Sequence, residues 1–157
     1  AEIHRLLGHP EAEASYRQWA DRLGRVQRER WDSLSDQITA AVTHAASQAA
    51  HDVGAAAILC CTSSGRTAKA MARFRPEARL IGLSPNDRTV NAMTLSWGVE
   101  PVSVDTYTST DEMVWYAVER AVQAGFVTQD DLVIVLAGSP GRSASTAADV
   151  LRIVRVQ

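Results

Sequence analysis

The residues with the most chemical capacity sit together in Thr62-Ser63-Ser64-Gly65-Arg66-Thr67. Five of these six are hydroxylated or glycine, an apolar run (Ala56–Cys61) precedes them, and a helical stretch follows directly. A strand that turns into a helix in this way points unpaired N–H groups and the positive end of the helix dipole at the turn, which suits a phosphate. Gly65 permits close backbone approach, and Thr62, Ser64 and Thr67 can donate hydroxyl hydrogen bonds. The expected main donors are the N–H groups from Gly65 to Thr67. The same residue types also serve as plain helix caps. A Walker-type nucleotide loop is not among the readings, because the G-x-x-x-x-G-K-[ST] spacing is missing.

The same segment admits an enzyme. Cys60 and Arg66 stand in a Cys60-x5-Arg66 frame followed by Thr67, as in cysteine-dependent phosphatases. There a thiolate attacks phosphorus and the arginine grips the phosphate oxygens bidentately. Asp87 and Asp105 are the acids that could protonate a leaving group. The competing expectation is two small buried cysteines closing a strand. A second rich segment, from Gly138 through Gly141 and Arg142 to Thr146, holds two glycines and a proline. It reads either as a shaped loop whose Arg142 reaches the same anion or as an ordinary surface loop. His4, His9, His44 and His51 lack metal-ligand spacing, so no metal site is expected. No Ser/His/Asp set is arguable, since no histidine follows His51.

The positioning elements follow from periodicity. Tyr16, Trp19, Ala20, Leu23 and Val26 form one stripe of an amphipathic helix. A second helix begins after the caps Asp32, Ser33 and Ser35, with an expected apolar face of Leu34, Ile38, Ala41, Val42 and Ala45, and stops near Gly54. Beyond it, apolar runs alternate with helical stretches. Strands are expected at 56–61, 80–83, 99–104, 132–137 and 150–156, and helices at 67–74, 86–95 and 110–124. Such alternation needs crossover connections and builds a three-layer α/β/α domain with a mostly parallel five-stranded sheet. A helical N-terminal arm (1–32) is expected before the domain (33–157). Ligands of such sheets sit beyond the carboxyl ends of the strands, where 62–67, 84–88 and 138–146 converge.

Composition narrows the classes. The chain has 157 residues, 46% of them hydrophobic, with a net charge of −2. That is one ordinary domain with no global field to recruit nucleic acid or an anionic membrane. Its longest apolar runs fall far below the roughly 20 residues of a spanning helix. The neighbouring cysteines cannot close a zinc site alone. A soluble, reduced, cytoplasmic domain is the expectation.

The run AAAILCCTSSGRTAKAMARFRPEARLIGL (55–83) resembles the C-terminal α/β domain of the pyruvate kinases. That domain carries an apolar strand, T-x-S-G-[RY]-[ST]-A, a helix ending in [YF]-R-P, and a further strand. Thr62, Ser64, Gly65, Arg66, Thr67 and Ala68 fill the first motif, and Phe74-Arg75-Pro76 the second. Leu95-Ser96-Trp97-Gly98-Val99-Glu100-Pro101, Thr110-Asp111-Glu112-Met113, and Asp131–Val135 with Gly138-Ser139-Pro140 are similar to later family motifs. The resemblance covers 38–156.

It implies a regulatory domain carrying an effector site and one subunit interface of a homotetramer. It implies no catalytic residue and no cofactor in this chain. Phosphoryl transfer from phosphoenolpyruvate to ADP, with magnesium and potassium, belongs to a barrel domain of the parent enzyme, for which 157 residues are too few. The effector phosphate would lie on Thr62–Thr67, with Gly138–Thr146 closing over it. Two departures stand out: Ala147-Ala148 follow Thr146, and only five residues (105–109) link the third strand to the next helix, without the Trp- and Arg-containing insertion of bisphosphate-regulated members. A sugar monophosphate or AMP is the expected effector. A stand-alone sensor or interaction domain is the remaining alternative.

Overall fold

Strand β1, Ala57–Cys61, is buried along its whole length. It lies at the centre of a five-stranded sheet of order β3-β2-β1-β4-β5 in the computed structural model, which describes residues 34–138 and 147–157. β2 (Arg79–Ser84), β3 (Val99–Ser103) and β4 (Leu132–Ala137) run parallel to β1, and β5 (Val150–Arg155) pairs antiparallel with β4. Apolar residues fill both faces of β1 because helices cover both sides of a parallel sheet. The expected α/β fold with a mostly parallel five-stranded sheet is thus present. The expected arm (1–32) lies outside the described residues.

Alternation along the strands sorts the core into two layers. Ala57, Leu59, Cys61, Ile81, Leu83, Val133 and Val135 face Val114, Ala117, Val118 and Ala121 of α4, which spans Thr110–Gln123. Ile58, Cys60, Leu80, Ile134 and Leu136 face the other way. They meet α1 (residues 34–53), α2 (Arg66–Ala72) and Met93, the last residue of α3 (Asp87–Met93). Helix α1 ends at Gly54, whose φ of 62° lets the N–H of Ala55 return to the carbonyl of Ala50 at 2.9 Å. Helix α4 opens on a reciprocal cap. Ser109 accepts from the N–H of Glu112 at 3.2 Å, while Glu112 accepts from the hydroxyl and N–H of Thr108. Those bonds, led by the Thr108 hydroxyl, hold the Glu112 carboxyl below its usual range.

One sequence expectation changes. The buried stripe of α1 is Ser35, Thr39, Thr43, Ala46 and Ala50, not Leu34, Ile38, Ala41 and Ala45, which are exposed. The helix is turned by about one position, so small side chains, Ala46 and Ala50 among them, meet the sheet in place of Leu34 and Ile38. Thr43 enters this layer because its hydroxyl is satisfied within the helix, by the Thr39 carbonyl at 2.7 Å and that of Ala40 at 3.1 Å. On α4, Met113 is buried, whereas Trp115 stays 55% exposed and Tyr116 39%.

This orientation predicts opposite outcomes at neighbouring alanines. Ala46→Leu should overpack the α1 layer and cost about 1–3 kcal/mol, while Ala45→Leu should stay within about 0.5 kcal/mol of the parent. Urea unfolding of the two variants checks it; equal losses would contradict the orientation.

Candidate functional site

The chain leaves β1 toward β2 and β3 on one side and returns to β4 on the other. The carboxyl ends of β1 and β4 therefore flank the point where the winding reverses, the place where doubly wound sheets hold ligands. The register pairs Cys60 with Leu136, so the carboxyl ends of β1 and β4 lie side by side. The β2 end is joined to the same place: the N–H of Thr62 bonds the Leu83 carbonyl at 2.9 Å, and that of Val104 the Ser84 carbonyl at 3.1 Å.

Within the turn, Ser63 and Ser64 are exposed, Thr62 is half-buried and Thr67 is buried. Gly65, the N-cap of α2, has φ 80°, a left-handed conformation that favours glycine, and no side chain caps the helix. The opening N–H groups of α2, Arg66 and Thr67, lie ahead of any i−4 carbonyl of the helix. One expected donor is already used: the N–H of Gly65 bonds Thr62 Oγ1 at 3.0 Å. In that bond the Thr62 oxygen accepts, so the bond does not use its O–H proton. Arg66 lies 3.4 Å from Asp36 of α1, with both side chains largely exposed.

Gly138 stands at the end of β4, where a Cβ would come within 2.7 Å of the Ala147 carbonyl. Gly141, Arg142 and Thr146 lie outside the described residues. So do His4 and His9.

The nucleophile of the phosphatase reading is misplaced. Cys60 is inside β1, fully buried among Ile58, Met71 and Leu136. Burial, reinforced by Cys61, pushes its thiol far above the ordinary range, so no thiolate forms there. Cys61 faces the opposite layer and burial pushes it up to about 12. The cysteine phosphatase expectation is therefore corrected: Arg66 shares a turn with hydroxyls, not with a reactive sulfur.

Sequence reasoning missed the residues beneath the turn. Thr89 of α3 donates its hydroxyl to the Ser63 carbonyl at 2.8 Å, and Met93 packs under Gly65. The available signal was Gly82, an isolated glycine inside a strand run. A Cβ there would stand 2.6 Å from the Met93 sulfur, so this glycine makes room for the methionine. A separate cleft of about 360 Å³ lies between α1 and the segment after α2, lined by His44, Gln48, His51, Phe74, Arg75 and Glu77 among others.

Helices on both faces of a mostly parallel five-stranded sheet define the class as a three-layer α/β/α domain. Residues 40–154 match the family model described as "Pyruvate kinase, alpha/beta domain". The chain belongs to this family. A pyruvate kinase of Clostridium acetobutylicum is 39% identical over 98 residues, 62% of this chain and 21% of that protein. One from Geobacillus stearothermophilus is 35% identical over 127 residues, 80% of this chain and 21% of that protein. The chain thus spans about a fifth of the length of these curated relatives. A crystal structure of a pyruvate kinase from Cryptosporidium parvum shares the fold, with a TM-score of 0.67 at 21% identity, covering 76% of this chain and 23% of that one. Among the described residues, no helix is long and apolar enough to cross a membrane.

Both thiols should resist reagents in the folded protein. Iodoacetamide at pH 8 should modify neither within minutes and both of the chain's two cysteines in urea. Because burial raises their native pKa, the unfolded thiols ionise first, so stability is whole below about pH 9 and falls as pH rises toward 12. Each buried thiol steepens that fall by about 1.4 kcal/mol per pH unit. Rapid native labelling, or a flat stability profile between pH 9 and 11, would contradict the assignment.

Proposed function

We propose that this chain is the effector-binding and subunit-interface part of a cytoplasmic pyruvate kinase and does not catalyse phosphoryl transfer by itself. The observation that carries the reading is the coincidence of two independent features. The family's T-x-S-G-R-T motif, Thr62 to Thr67, falls on the winding reversal where the sheet topology calls for a ligand. The ligand is a phosphate ester, a sugar monophosphate or AMP. Its phosphate would take the hydroxyls of Thr62, Ser63, Ser64 and Thr67, the N–H groups of Ser64, Arg66 and Thr67, and the Arg66 guanidinium after it leaves Asp36. The last loop, with Gly138, Gly141, Arg142 and Thr146, would close over the rest of the effector. In this reading magnesium, potassium and the phosphoenolpyruvate site belong to the barrel of the parent enzyme, which is also a partner of this domain.

Charge-assisted bonds to a dianion are worth about 1.5–3 kcal/mol each. Replacing Thr62, Ser64 and Thr67 together by Ala should therefore weaken AMP or glucose 6-phosphate binding by about tenfold or more. Calorimetry that gives parent and variant the same affinity would overturn the site. The chain alone should show no pyruvate kinase turnover above a buffer blank in a coupled assay. Turnover would refute its regulatory assignment.

The same reading includes self-association. Strand β5 is one of the two sheet edges, with Ile153 exposed between Arg152 and Arg155, and Arg152 reaches Asp111 of α4 at 2.8 Å. Trp115 adds an exposed aromatic on α4. An isologous dimer at micromolar concentration would cover such an edge. Sedimentation equilibrium should report twice the chain mass; a single-chain mass up to high concentration would remove the interface from this half.

A further inference from the structure

The turn rests on two residues of α3 spaced i and i+4, Thr89 and Met93. A Cβ on Gly65 would lie 3.3 Å from Met93 Cγ and 3.4 Å from Thr89 Cγ2, so the turn backbone sits directly on both side chains. Thr89 is buried, and its hydroxyl holds the Ser63 carbonyl at 2.8 Å across 26 residues of sequence. The peptide bonds are trans. In a planar trans peptide the carbonyl and the following N–H point in opposite directions. Drawing the Ser63 carbonyl down onto α3 therefore turns the Ser64 N–H away from α3. Thr62 meanwhile fixes the next N–H, that of Gly65, inside the turn.

We propose that Thr89 is a positioning residue for the turn, selecting by one part-buried hydrogen bond the backbone conformation that presents the Ser64, Arg66 and Thr67 N–H groups to a phosphate. Thr89 touches no ligand and acts through the Ser63 carbonyl. The inference rests on the effector reading for its ligand, whereas its structural half stands without one. Valine matches the shape of threonine but cannot donate, which leaves the Ser63 carbonyl unpaired; serine keeps the donor and loses only a methyl group.

The experiment compares the full chain with Thr89→Val and Thr89→Ser. Amide exchange over residues 62–68 is followed by mass spectrometry without ligand, and AMP and glucose 6-phosphate are titrated by calorimetry. Thr89→Val should speed exchange in this segment while the strands keep parental protection, and should weaken binding by about fivefold, the worth of one net hydrogen bond. Thr89→Ser should restore both to near the parent. Parental exchange and affinity in Thr89→Val would overturn the proposal, as would faster exchange spread evenly over the strands. If the parent binds neither ester, the effector reading fails, and the exchange data still decide the role of Thr89.

Discussion

Strand β1 constrains everything around it. It is buried on both faces and hydrogen-bonded on both edges, so its five residues can be only small or apolar. Its polar atoms are spent on the ladders with β2 and β4, and the backbone leaves the sheet only after the Thr62 N–H, which still bonds the Leu83 carbonyl. The winding reverses beside β1, and among the described residues Ser63 and Ser64 of the turn 62–65 stay exposed at that end. The buried strand thus delivers one exposed, polar, glycine-containing turn to a fixed place. The same burial that fixes β1 also silences Cys60 and Cys61, since a low-dielectric layer opposes ionisation.

The turn is held from below by close contact. Gly82 removes a Cβ that would collide with Met93 and Gly65 one that would crowd it, and Thr89 supplies a polar tie. Packing between α3 and the turn is therefore tight enough that the backbone at 63–65 has little freedom. Beyond Met93 the chain emerges into Leu95 and Trp97, which are 90% and 62% exposed, with the Arg75 guanidinium 5.1 Å from the Trp97 ring. One side of α3 supports the candidate site, and its carboxyl end leads to an exposed apolar surface.

Much of this was legible in the sequence, for identifiable reasons. Runs such as Ala57–Cys61 and Leu132–Ala137 are continuous and apolar because their strands are covered on both faces, and Gly54, Pro76 and Gly125 punctuate the helices between them. The family motifs located the turn, since Gly65 answers to a left-handed backbone and the hydroxyls to its position. The face of α1 was misread because hydrophobicity favoured Leu34 and Ile38, whereas the sheet accepts Ser35, Thr39, Thr43, Ala46 and Ala50, the smaller residues that allow close approach. Likewise Cys60-x5-Arg66 had the right spacing for a phosphatase, but spacing carries no information on where the strand ends. Thr89 was invisible because its partner is a backbone carbonyl 26 residues away.

The central claim is that the turn 62–67 receives a phosphate ester, and amide chemical shifts of the isotope-labelled chain test it most directly. Titration with AMP and with glucose 6-phosphate should move the Ser64, Arg66 and Thr67 resonances first and furthest, with saturation, and leave His44 and His51 in the other cleft unmoved. Shifts centred on that cleft, or no saturable shift at the turn with either ester, would contradict the account.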